Sequence, residues 1–156
     1  WRAGRLMEDE PVTHTVASTF IRAYMTGQAV ARATATHLSV NLNIVERKFG
    51  YRFGTPNHDL DWAEDPPGGE SMQEFIDRTR LGVMQACALG PCPAIVAHGG
   101  NLRVIAAGLG TDLPDGSVGN ATPLKFTRNG GKWVLEFVGG IAAVTSTASA
   151  STTAVS

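Results

Sequence analysis

The stretch Pro93-Ala-Ile-Val-Ala97 does most to limit how this chain can fold. It is a continuous apolar run, too short for a helix, bounded by Gly90-Pro91 on one side and His98-Gly99-Gly100 on the other. Such a run reads as a strand covered on both faces, the situation of a strand inside a parallel sheet flanked by helices. Directly after the glycines, Leu102, Ile105, Ala106 and Leu109 return at helical spacing. Strand, tight turn and helix therefore follow one another without a long connection. The same order occurs earlier. Val12-Thr-His-Thr-Val-Ala17 has the β-branched character of a strand, and Ser18-Thr19 is placed to cap a helix. From Phe20 to about Ala35, residues Ile21, Tyr24, Met25, Gln28, Ala29 and Arg32 trace one weakly amphipathic face. Two such units predict an α/β domain with a mostly parallel sheet between helical layers.

The remaining segments fit that plan. Leu38-Ser-Val-Asn-Leu-Asn-Ile-Val45 alternates and predicts a short strand, and the stretch Glu46 to Gly69, rich in Gly, Pro, Asp and aromatic residues, predicts a long site-forming loop. After Gly69-Glu-Ser71, residues Met72, Phe75, Ile76, Thr79, Val83, Ala86 and Cys87 trace a helix ended by Gly90-Pro91. Asp112 to Gly119 reads as a loop, and Pro123–Thr127 with Lys132–Phe137 as a hairpin around Asn129-Gly130-Gly131, expected at an antiparallel edge of the sheet. With 156 residues and 43% hydrophobic content, one domain over 1–138 is expected. Residues 139–156 are Gly, Ala, Ser, Thr, Val and Ile without charge or aromatic side chains, and are expected to form a disordered tail.

Charge narrows the partners. Thirteen Lys and Arg against 14 Asp and Glu leave a net charge of -1, which gathers neither nucleic acid nor anionic membrane. No apolar run approaches the length of a membrane span. Cys87 and Cys92 make no disulfide framework and have no zinc-type partners, so a reducing, cytoplasmic compartment is expected. The chain opens at Trp1 with neither an initiator Met nor the pattern of a signal peptide, which suggests a start upstream. No phosphate-binding G-x-x-x-x-G-K-[ST] loop, G-x-S-x-G elbow or H-E-x-x-H pair is present, and the Gly108-Leu-Gly110 pair lacks the third glycine of a dinucleotide turn. No metal and no cofactor are expected.

In an open α/β sheet, ligands settle beyond the carboxyl ends of the strands, where helix N-termini attract anions. Two strand-helix turns qualify, Ser18-Thr-Phe-Ile-Arg22-Ala23 and Ala97-His98-Gly99-Gly100-Asn101-Leu-Arg103, and in a parallel sheet they share one edge. His98 is the stronger candidate, since it follows a buried strand and precedes glycines that admit a ligand close to the backbone. Arg22 taken alone reads as a solvated helix arginine, Glu46 as a surface carboxylate, and Glu70-Ser71 as helix initiation. His14 reads as a sheet-face histidine, while His37 and His58 carry no signal.

Taken in order, Ser18-Thr-Phe-Ile-Arg22-Ala23, Val45-Glu46-Arg-Lys-Phe-Gly50 with Phe53-Gly54, Gly69-Glu70-Ser71 and Ala97-His98-Gly99-Gly100 resemble the successive motifs of the histidine phosphatase, or phosphoglycerate mutase-like, superfamily. The resemblance spans Val12 to Phe137 and implies a three-layer α/β/α domain that transfers phosphoryl groups through a phosphohistidine, without metal. It makes Arg22 and His98 catalytic residues that bind phosphate together with Gly99, and Glu46 the proton donor to the leaving group. The implied substrate is a small phosphorylated metabolite; the oligomeric state is not implied.

Chemistry agrees with those roles. Arg22 offers a bidentate fork for a tetrahedral oxyanion, His98 a charge-assisted hydrogen bond, and Glu46 a proton if Phe49 and Phe53 desolvate it. The sequence departs from the family at one point. The family's nucleophile lies in an Arg-His-Gly motif after its first strand, and this chain contains no Arg-His-Gly. Arg2-Ala3-Gly4 has the flanking residues with Ala between them, but no strand precedes it. The expectation is a sheet lacking its first strand, in a chain inactive as written. The alternatives are a non-catalytic phosphate-binding or interaction domain, or an inactive fragment.

Overall fold

The structure is a computed structural model that describes residues 2–55, 61–113 and 119–139. Strand β1 (His14–Ser18) lies at the centre of a three-stranded sheet, parallel to β2 (Leu38–Asn41) on one side and to β3 (Pro93–Val96) on the other. Helices α1 (Arg2–Met7), α2 (Ile21–Ala33), α3 (Met72–Cys87) and α4 (Gly99–Leu109) cover it. The strand period sorts the core into two layers. Ala94 and Val96 pack with Ala3, Met7, Val12 and Val30 on the α1 and α2 face, whereas Val16, Ile95 and Ala97 pack with Ile44 and Ala86 beside α3. Helix α4 packs against α3. Helices on both faces of a parallel sheet are what the two strand-turn-helix units predicted.

Boundaries differ from the sequence reading where local capping decides them. β1 includes Ser18, so Phe20 rather than Ser18-Thr19 stands at the α2 N-cap, with its amide donating to Ser18 Oγ at 3.3 Å. The strand expected to reach Val45 stops at Asn41, because the Asn41 side chain accepts from the Asn43 amide at 2.8 Å and starts a 3₁₀ turn over Leu42–Ile44. Ser71 does cap α3, in a reciprocal box with Glu74. Arg2-Ala3-Gly4 is helical, and Gly4 packs so closely on α2 that a Cβ there would stand 2.6 Å from the Ala29 carbonyl oxygen. It is not the end of a strand.

The hairpin β4 (Leu124–Asn129) and β5 (Lys132–Phe137) turns at Gly130 and Gly131, both at positive φ, as a two-residue turn requires. It forms its own two-stranded sheet and does not extend the parallel one. A groove of about 1950 Å³ separates the two. Pro93 to Ala97 line it without interruption, as do Leu124 to Phe126. Consecutive residues from a strand reach a wall only when its edge faces that wall, because faces alternate. β3 and β4 therefore turn strand edges toward each other across the groove, and among the described residues the second edge of β3 has no ladder partner. The tail from residue 140, most of the Asp112–Gly119 loop and His58 lie outside the described residues.

Candidate active site

The parallel register pairs Ala17 with Val96, so both strand-helix turns emerge at the same end of the sheet. Ser18, fully buried, places its Oγ 2.8 Å from Nε2 of His98. The Phe20 ring meets the imidazole edge-on at 5.2 Å, and the Arg22 guanidinium lies 4.9 Å over that same ring. Arg22, Glu46, His98, Gly99 and Gly100 all line one end of the groove. His14 is at the opposite end of β1, hydrogen-bonded to Ser39 at 3.0 Å and beside His37, about 13 Å of strand away from Ser18 at ~3.3 Å per residue.

His98 is the N-cap of α4, in extended backbone conformation. Its amide donates to Asn101 Oδ1 at 3.2 Å, and the Asn101 amide group donates onward to Thr79 Oγ1 at 3.0 Å and to the Val45 carbonyl at 3.3 Å. Asn101 is wholly buried. Burial, followed by the positive charges of Arg22 and Arg78, lowers the His98 pKa to about 4. Near neutral pH the unliganded imidazole is therefore uncharged, and the charge-assisted bond expected from sequence needs an arriving anion to raise its basicity.

Glu46 is partly buried where the long loop begins. Desolvation raises its pKa above the ordinary carboxylate value, against the opposing pull of the Arg47 and Gly100 amides and of Arg22 and Arg78. The Arg47 amide donates to Glu46 Oε1 at 3.0 Å. A Cβ on Gly100 would overlap Glu46 Oε1 and stand 3.0 Å from both the Phe75 ring and the Trp62 ring. The Gly100 amide, in the first turn of α4, thus already faces a carboxyl of the chain itself. A protonatable carboxyl, a neutral imidazole and a guanidinium around one groove can hold an oxyanion and deliver a proton to a leaving oxygen.

The expected desolvating aromatics divide. Phe49 packs edge-on against Trp62 at 5.0 Å, but Phe53 is 88% exposed and Tyr51 90%. The sequence reading passed over Arg47. Its side chain has no exposed surface and donates to the carbonyls of Trp62 (2.6 Å), Glu64 (3.0 Å) and Glu70 (3.1 Å) and to Asp65 Oδ1 (3.2 Å), which pins the long loop closed. Glu70, expected at helix initiation, is instead buried and paired with Arg78 at 2.5 Å. Apolar periodicity carries no sign of such polar clusters; only the density of Arg and Glu around a loop that must pack hints at them.

Comparison with known proteins places these features. The chain is 29% identical over 134 residues to agropine synthesis reductase of Rhizobium rhizogenes, covering 86% of this chain but 30% of that protein, so it spans under a third of the curated relative. Mycobacterial glucosyl-3-phosphoglycerate phosphatase, in complex with inorganic phosphate, has the same fold with a TM-score of 0.68 and 23% identity, over 86% of this chain and 80% of that one. A protein of Thermus thermophilus aligns with a TM-score of 0.57 and 25% identity, over 72% of this chain and 68% of that one. The family model of the histidine phosphatase superfamily (branch 1) matches residues 1–139, a span that includes every residue of the site just described. The chain belongs to the histidine phosphatase superfamily.

Proposed function

We propose that this domain binds the phosphoryl group of a small phosphomonoester between Arg22 and His98, with Gly99 at its edge and Glu46 as proton donor to the leaving oxygen. The convergence of Arg22, His98 and Glu46 on one end of a single groove carries this reading. Arg22 is the exposed partner and supplies the fork; His98 supplies a nitrogen already oriented by Ser18. The raised pKa of Glu46 suits a group that must arrive protonated and leave charged. Phosphoryl transfer or hydrolysis is the chemistry of the family, and the phosphate-bound mycobacterial relative supports a phosphorylated small molecule as the ligand class.

In this reading, neither His98 nor His14, among the described residues, stands in line for attack. His98 is held by Ser18 as a stabiliser, and His14 is at the far end of the sheet. The open edge of β3 favours a completed form in which a strand lies in the groove and ends beside His98 with the nucleophile. Such a strand would fill a groove about twice the upper end of the ~300–1,000 Å³ range of small-ligand pockets.

The test is a pair of measurements. Millimolar inorganic phosphate or vanadate should raise the melting temperature of the chain as it stands, while a generic phosphomonoester should be turned over only after an Arg-His-Gly strand is joined ahead of Arg2. A melting curve indifferent to both anions would reject the binding reading. An acid-labile phosphohistidine formed by the unextended chain, with activity lost in His14→Ala or His98→Ala, would reject the assignment of roles.

A further inference from the structure

We propose that Arg78 is a positioning residue of this site: one guanidinium, gripped by Glu70, gathers the carbonyls of Asn43, Val45 and Glu46 and so fixes where the Glu46 carboxyl lies against α4. The inference deepens the phosphoryl-binding reading and rests on it for its meaning, though not for its test.

An arginine has five N–H donors in a rigid fork. Here each has an acceptor. Nε donates to Glu70 Oε1 at 2.5 Å, Nη2 to Glu70 Oε2 at 2.7 Å and to the Glu46 carbonyl at 3.1 Å, and Nη1 to the carbonyls of Asn43 at 2.9 Å and Val45 at 2.8 Å. Residues 45–49 belong to no helix or strand, so no ladder holds their carbonyls. Arg78 holds the carbonyls of Val45 and Glu46, while the Glu70 amide donates to that of Lys48 and the Arg52 amide to that of Phe49.

The Val45 carbonyl also accepts from Asn101, whose other arm holds the His98 amide. The acid and the imidazole are therefore tied to one junction, one residue before Glu46. Glu70 adds a further tie by accepting the Lys48 amide at 3.2 Å. The groups whose charge reaches Glu46 are Arg22 from α2 and Arg78 from α3, with the Arg47 and Gly100 amides in direct contact and His98 leading into α4. An ordinary buried ion pair only closes the fold. This one spends three of its five bonds on the backbone that carries the acid.

The experiment follows the Glu46 carboxyl carbon and the Gly100 amide of the full chain by NMR between about pH 4 and 8, with Glu46→Gln assigning the carboxyl. The wild type should show both titrating with one midpoint above that of an ordinary glutamate. Arg78→Lys keeps the charge but has only three donors, so it should bring the Glu46 midpoint back toward that of an ordinary glutamate and remove at least half of the Gly100 response. Val30→Ala, on the opposite core face, should lower the melting temperature while leaving both signals alone. If Arg78→Lys does not fold, Glu70→Gln decides, with a smaller change in the same direction. Variants that melt earlier yet keep the wild-type midpoint and Gly100 response would reduce Arg78 to a structural residue and overturn the proposal. Added phosphate is a separate arm: a wild type that ignores it counts against the proposed function and leaves the positioning result standing.

Discussion

On one wall of the groove, Glu46 and His98 are fixed by the half-buried Arg78 and the buried Asn101, Thr79 and Phe75, whereas on the other Arg22 reaches out of α2 with Phe20 beneath it. Among the described residues, Arg22 forms no ion pair. The first wall is ordered before any ligand arrives, and its geometry is maintained by folding energy. Under the proposed function, the second is ordered by the ligand. A site divided this way couples stability to the acid and imidazole, and couples affinity to the arginine.

The largest effect expected is at Phe75, 1% exposed and packed under both Gly100 and Arg78. Phe75→Ala should cost about 3–5 kcal/mol in urea unfolding, and a loss below ~1 kcal/mol would show that the ordered wall does not depend on the core beneath it. Gly100→Ala comes next. Its methyl would collide with the Glu46 carboxyl, so a loss of about 1–3 kcal/mol is expected together with a displaced Glu46 titration. Arg22→Ala should behave in the opposite manner, changing stability by less than ~0.5 kcal/mol while abolishing the melting shift caused by phosphate. A destabilised Arg22→Ala protein would erase the contrast between the walls.

The last substitution acts only on a slope with pH. The folded His98 value of about 4 lies below the ordinary 6.5, so between those values the unfolded chain binds more protons and stability rises with pH, in full above about 6.5. Glu46 opposes this. Its folded value is raised, so the native state binds more protons just above the ordinary carboxylate value and stability falls as pH rises through the folded value. Glu46→Gln should therefore steepen the rise in urea midpoint from pH 4.5 to 6.5. An unchanged slope would mean that Glu46 titrates as an exposed carboxylate.

Apolar patterning made the parallel sheet, the paired turns and the hairpin readable, because burial of Val16, Ile95 and Ala94 leaves a period in the sequence. It placed Arg22 and His98 at one edge for the same reason. It overran β2, since Leu42 and Ile44 alternate correctly but Asn41 diverts the backbone into a turn. It missed the parts of the site that are polar and long-range: Arg78 meets acceptors 32 to 35 residues away, and Asn101 reaches Val45 across 56. No local rule contains such distances. The separation of the hairpin from the parallel sheet was equally hidden, because the sequence of β4 is compatible with either arrangement.

In a parallel strand the N–H and C=O of one residue point to the same side and those of the next to the other. Along β3, alternate residues therefore bond to β1 or face the groove. Amide hydrogen exchange should read this out as a two-residue rhythm, slow and fast, along a single buried-sequence strand. Whatever comes to lie in the groove would silence that rhythm, so the exchange pattern of the three or four amides from Ala94 to Ala97 reports occupancy without a chemical assay. Left open, the same edge offers unpaired N–H and C=O groups to an extended chain that meets it.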